Sequence, residues 1–107
     1  MASSKEYLNY ILEQIGLPDE VSHRAMMGEY VLYYQGKIFG YICDDRLLFK
    51  PVAAAKERMP DAPMEPPYDG AKEMLLVQKV DDGSFLRDTI RAMADQLPAP
   101  KPKKRRK

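Results

Sequence analysis

The run RAMMGEYVLYYQGKIFGYICDDRLLFK, from Arg24 to Lys50, constrains the fold more than any other part of the chain. It reads as three short strands in succession. Gly28 precedes the first, Gln35-Gly36 separates the first two, and Asp44-Asp45 precedes the third. β-Branched and aromatic residues fill the intervals between these turn-compatible residues, which is the pattern of an antiparallel meander. Residues 29–34 and 37–43 are expected to pair as a hairpin, because Gln35-Gly36 can supply the positive φ that a tight turn requires. Asp44-Asp45 then turns the chain into 46–50, and Pro51 ends that strand.

The flanks predict helices. Ser3-Ser4-Lys5-Glu6 offers a Ser-x-x-Glu capping box with Ser3 as N-cap. Tyr7, Leu8, Ile11, Leu12 and Ile15 follow at offsets of three and four, so a helix is expected over 4–15, closed by Gly16 and Pro18. Residues 21–27 suit a first strand and 52–58, with three alanines, a short helix. Pro60, Pro63, Pro66 and Pro67 predict an extended loop over 60–70. A last strand is expected over 72–78, then a helix capped by Asp81 or Asp82, with Phe85, Leu86, Ile90, Met93 and Leu97 on one stripe and Thr89 beside it. The expected fold is therefore α+β in two layers: an antiparallel sheet of about five strands with three helices packed on it. Residues 1–98 form the domain, and 99–107 form a basic tail that its composition makes disordered.

The strand faces carry a further expectation. Tyr30, Leu32 and Tyr34 share one face of their strand, and Val31 and Tyr33 the other. In the next strand Ile38 and Ile42 oppose Phe39, Tyr41 and Cys43. Neither strand has the polar face of a half-exposed antiparallel sheet. The second face is expected either to be buried in a homodimer or to stand as a shallow, tyrosine-rich surface on a monomer.

Charge divides the chain. The last seven residues hold six of the 17 basic side chains; without them, eleven basic residues face 16 acidic ones, a net charge of −5. Lys101, Lys103, Lys104, Arg105, Arg106 and Lys107 are thus a cationic end on an acidic body. Such an end can neutralise nucleic-acid phosphates without reading sequence, or it can serve solubility alone. No apolar run reaches the ~20 residues that span a bilayer, and no secretory signal is visible at the N-terminus. The expected location is the cytoplasm, and Cys43, the single cysteine, permits no intrachain disulfide.

Catalytic and metal-ligating patterns are weak. His23 is the only histidine and lacks any HExxH or CxxC context, so a solvated role on a strand is expected. Cys43 precedes two aspartates, which disfavour a thiolate, and reads as a small buried hydrophobe. Asp44-Asp45 and Asp81-Asp82 sit where turns and N-caps use an aspartate acceptor. No cofactor, metal or catalytic residue is expected. Arg24, Arg46 and Lys50 are expected to make ordinary surface pairs.

Read together, these residues resemble the N-terminal domain of the TfoX/Sxy family. That family's Arg-x-Met-(Phe/Met)-Gly pattern is matched by Arg24, Met26, Met27 and Gly28. Its tyrosine-rich strand and Gly-Lys turn are matched by Tyr33, Gly36 and Lys37, and the aromatic that follows by Phe39. Its Asp-Asp-Arg-Leu-x-x-Lys is matched by Asp44, Asp45, Arg46, Leu47 and Lys50. The resemblance covers about residues 4–97 and implies a bacterial or archaeal cytoplasmic α+β protein. Longer members regulate competence genes by assisting a transcription factor; their C-terminal helical domain has no counterpart here, so a stand-alone N-terminal-type domain is expected. The expected function is a small non-enzymatic regulatory module. It would bind a transcription factor or other protein through Tyr30, Tyr33, Tyr34 and Tyr41, with the tail attracted to DNA. One alternative is a small-molecule-binding protein or enzyme using a groove between sheet and proline-rich loop, with Tyr68 and Asp69 as its polar groups. Another is a structural homodimer.

Overall fold

A computed structural model describes residues 5–26 and 28–97. The order of elements is α1 (Lys5–Ile15), β1 (Val21–Met26), β2 (Glu29–Tyr34), β3 (Lys37–Cys43), β4 (Arg46–Phe49), α2 (Ala53–Arg58), β5 (Met64–Glu65), β6 (Met74–Leu76) and α3 (Gly83–Met93), followed by a short 3₁₀ turn, Ala94–Gln96. All six strands pair antiparallel, in the order β1-β2-β3-β4-β6-β5. The α+β reading holds, with one strand more than the five expected. That strand, β5, lies inside the proline-rich stretch read as loop.

Turn chemistry explains the meander. Gln35 and Gly36 take φ of 51° and 86°, and Asp44 and Asp45 take 56° and 55°. Positive φ at both central residues matches the right-handed strand twist across a two-residue connection. Aspartate tolerates this left-handed region better than most side chains. Gly16 (φ 68°) ends α1, with its N–H donating to the Leu12 carbonyl at 3.0 Å. Asp82 caps α3, accepting from the Phe85 N–H at 3.1 Å. Ser3, the expected cap of α1, lies outside the described residues, as do Met27 and the whole of the basic tail.

The helices cover one face of the sheet. Leu8, Ile11 and Ile15 of α1 and Leu86, Ile90 and Met93 of α3 pack against Leu32, Tyr34, Phe39, Ile42, Leu47, Phe49 and Leu75. Full burial stabilises by roughly 1.5–3 kcal/mol per large apolar side chain. Phe39 is on this face although simple alternation assigned it to the other. The β2–β3 register shifts at Leu32/Tyr33, where Leu32 pairs with Gly40 and Tyr33 with Ile38, so Phe39 is the extra residue of a bulge. The bulge turns Phe39 into the core, edge-on to Phe49 at 5.6 Å. Gly40 beside it has no room for a side chain, since a Cβ there would meet the Leu48 carbonyl oxygen.

Charged side chains tie the helix ends to the rest. Arg87 donates to the carbonyls of Gln14 and Ile15 at the C-terminus of α1, at 3.4 and 3.2 Å. Lys37 reaches from the β2–β3 turn to the Ala94 carbonyl at 2.9 Å, just past the end of α3. Cations are favoured at both places by the partial negative charge of a helix C-terminus. No helix among the described residues is long and apolar enough to cross a membrane.

Candidate functional site

The second face of the sheet is neither bare nor covered by helices. Cross-strand partners share a face, so Arg24, Val31, Tyr41, Leu48 and Leu76 form one row across β1, β2, β3, β4 and β6. Cys43, Leu48 and Met74 make a small buried cluster here, with Tyr41 and Leu76 packed against it. The chain over 66–73 folds against this face, and Pro67 within it is buried.

Arg46 fastens that segment. Its Nη1 donates to Glu65 Oε1 at 2.7 Å and to the Pro66 carbonyl at 3.4 Å, and its Nη2 to the Pro67 carbonyl at 3.3 Å. Its Nε donates to the Cys43 carbonyl at 3.3 Å, which holds the guanidinium over the β3–β4 turn. Prolines cannot donate from the backbone, but their carbonyls accept, and the planar guanidinium fork suits several acceptors at once.

The strapped segment raises Tyr68 as a ridge between two grooves, with 54% of its surface exposed. One groove, about 630 Å³, is lined by Glu29, Asp44, Arg46, Glu65 and Asp69, and is acidic apart from Arg46. The other, about 510 Å³, runs beside Tyr41, Lys50, Lys72, Glu73 and Met74. The groove expected between sheet and loop therefore exists, and Tyr68 and Asp69 line it.

The expected site residues separate into groups. Tyr33 and Tyr41 are half-buried on the second face, and Tyr30 is half-buried on the other, packed against the main core. Tyr34 is a correction: it is only 7% exposed and belongs to the core, because its face is the one the helices cover. Gly28 and Gly36 hold turns at φ 83° and 86°; Lys37, Asp45 and Arg46 hold turns or contacts already described. Lys50 lines the second groove. Arg24 and Met26 are exposed on β1, Met26 at 44%. His23 is exposed too, edge-on to Tyr30 at 6.1 Å. Sequence reading did not foresee the Arg46 strap, for which the arginine beside the Asp-Asp turn was the available signal. It also took Phe85 as helix stripe only, and gave no signal that Arg58 and Lys79 would meet it.

Protonation on this face follows from burial. The Cys43 thiol is pushed up to about 12, first by burial and then by the Glu29 carboxylate beside it, so it is a neutral thiol at physiological pH and not a nucleophile. Burial, then Tyr68, raises Tyr41. Burial, then Asp45, raises Tyr7 on α1. No group of three His, Cys, Asp or Glu side chains among the described residues could hold a metal ion.

Helices on one face of an antiparallel meander, and an arginine-strapped proline-rich segment on the other, define a small α+β domain with one sheet face given to surface. The chain belongs to the family of the TfoX N-terminal domain, whose model matches residues 12–96. It is also similar to a Spirochaeta aurantia protein, "Uncharacterized 12.7 kDa protein in trpE 5'region", with 36% identity over 105 residues, covering 97% of this chain and 91% of that protein. No solved structure matches.

Proposed function

We propose that this domain is a non-catalytic regulatory module of the cytoplasm that binds a protein partner through the second face of its sheet. The observation that carries the reading is the makeup of that face. Tyr33, Tyr41 and Tyr68 stand on it around the buried Cys43, Leu48 and Met74, with Arg24 and Met26 exposed on the adjoining edge strand. Tyrosine, methionine and arginine are the side chains enriched where proteins meet, and tyrosine adds large area at low entropic cost. The TfoX relationship supports a partner in transcription, with competence genes as the nearest example. The tail cations Lys101, Lys103, Lys104, Arg105, Arg106 and Lys107 would add electrostatic attraction to DNA.

Quantitative affinity capture with the whole chain as bait tests this reading. A transcription-associated protein is expected to be retained, and to be lost on the double change Tyr41→Ala and Tyr68→Ala. Tyr10→Ala, at an exposed tyrosine of α1, serves as the control and should retain it. Equal retention by all three chains would overturn the assignment of the face. Retention of nothing but the bait's own sequence would put a second copy in the partner's place.

A further inference from the structure

We propose that the cleft between the C-terminal end of α2, β6 and the first turn of α3 binds a small monoanionic carboxylic acid with a short apolar body. Two cations stand within reach of one ring at this cleft: Arg58 Cζ lies 5.1 Å and Lys79 Nζ 5.2 Å from the centre of Phe85. Arg58 is held in place, because its Nε donates at 2.7 Å to Oγ1 of Thr89, a hydroxyl with no exposed surface. That bond leaves both Nη groups of the fork available. Among the described residues neither Arg58 nor Lys79 makes an ion pair. Two like charges thus stand no farther apart than the sum of their distances to the ring. An anion received there would be attracted by both and would accept from the free Nη groups of Arg58.

Size and lining narrow the ligand. The cleft holds about 210 Å³, below the roughly 300 Å³ at which drug-sized ligand sites begin. Met59, Ala62 and Phe85 give it an apolar wall, which favours a ligand with a hydrocarbon body over a bare ion. Asp61 also lines the cleft and would repel a dianion more than a monoanion. A carboxylate therefore fits better than a phosphate. This site does not depend on the partner-binding reading.

The test is a titration of the full chain, followed by NMR, with straight-chain carboxylates from acetate to hexanoate. Alcohols of matching length and inorganic phosphate are run beside them. The Arg58 side-chain and Lys79 signals should shift saturably with the acids. Affinity should rise about fourfold per methylene until the cleft is full, and the alcohols and phosphate should bind about tenfold more weakly. Among the described residues the Lys79 side chain makes no hydrogen bond, so Lys79→Gln should weaken the acids about tenfold while leaving the alcohols unchanged. Lys79→Arg should restore binding. Acids and alcohols binding alike, phosphate binding best, affinity independent of chain length, or Lys79→Gln without effect would each overturn the proposal.

Discussion

Cys43 shows how one side chain records its surroundings. It is 1% exposed, pairs with Arg46 across the β3–β4 turn, and has the Glu29 carboxylate beside it. Folding therefore raises the thiol from 9.0 to about 12. Below pH 9 the thiol is protonated in both folded and unfolded chains, and stability does not depend on it. Above pH 9 the unfolded chain releases the proton while the folded chain keeps it. Stability must then fall as pH rises towards 12, by up to about 1.4 kcal/mol per pH unit. Tyr7 and Tyr41 are raised from 10.0 and add to the decline as pH approaches and passes 10. Urea unfolding of wild type at pH 8 to 10 should show a falling midpoint, and Cys43→Ala should show a clearly smaller fall between pH 9 and 10, the remainder coming from Tyr7 and Tyr41. A wild-type midpoint constant through pH 10 would show that the thiol is not insulated from solvent. The sequence disclosed an inert thiol, because two aspartates follow it, and a buried one, because free cysteines are commonly buried. It did not disclose Glu29, which is brought opposite by strand register.

Among the elements, the segment from β5 to β6 depends most on a single contact. Arg46 on β4 contributes three of the hydrogen bonds that hold Glu65, Pro66 and Pro67. The ion pair with Glu65 is partly exposed, so it alone is worth about 1 kcal/mol or less; the carbonyl bonds add to it. Arg46→Ala should cost about 1–2 kcal/mol in urea unfolding and speed tryptic cleavage after Lys72 under native conditions. Arg46→Lys keeps the charge without the fork and should recover less than half of the loss. Full recovery by lysine would mean that charge, not hydrogen-bond geometry, fastens the segment. The legibility of the elements follows the same division between local and distant causes. The helices and both hairpin turns were readable because caps and positive-φ residues are local signals: Gly16, Gln35-Gly36, Asp44-Asp45 and Asp82. β5 was not readable, because prolines suppress donation but not acceptance. The Leu76 N–H donates to the Pro63 carbonyl at 2.9 Å and extends the sheet regardless. The Phe39 bulge escaped because a strict period of two was assumed, and only the register with β2 breaks it. Tyr34 was placed on the right side of its strand, but alternation cannot say which side the helices will cover.

At the scale of the molecule, the two faces of the sheet and the two signs of charge are kept apart. Helices hold one face shut, while the other carries the tyrosines and the strapped segment. One groove between sheet and proline-rich loop was expected, and its division in two by Tyr68 was not. The contrast in charge between the two depends on residues as distant as Glu29 and Lys72 and was not expected either. The body from 1 to 100 carries a net charge of −5 and the last seven residues carry six cations. An acidic body is repelled by DNA, so any affinity for a duplex has to come from the tail. Fluorescence anisotropy of a labelled mixed-sequence duplex, over a series of salt concentrations, separates the two contributions. The full chain should bind with log affinity falling against log salt at a slope of up to about −5, the value for six neutralised phosphates. A chain ending at Ala99 should not bind. A slope much shallower than this would mean that only part of the tail lies on the phosphates. Equal binding by both chains would move the contact to the body, where Arg24, Lys50 and Lys72 are cations on or beside the tyrosine face. Binding by neither at physiological salt would remove DNA from the proposed function and leave the tyrosine face as its one remaining contact surface.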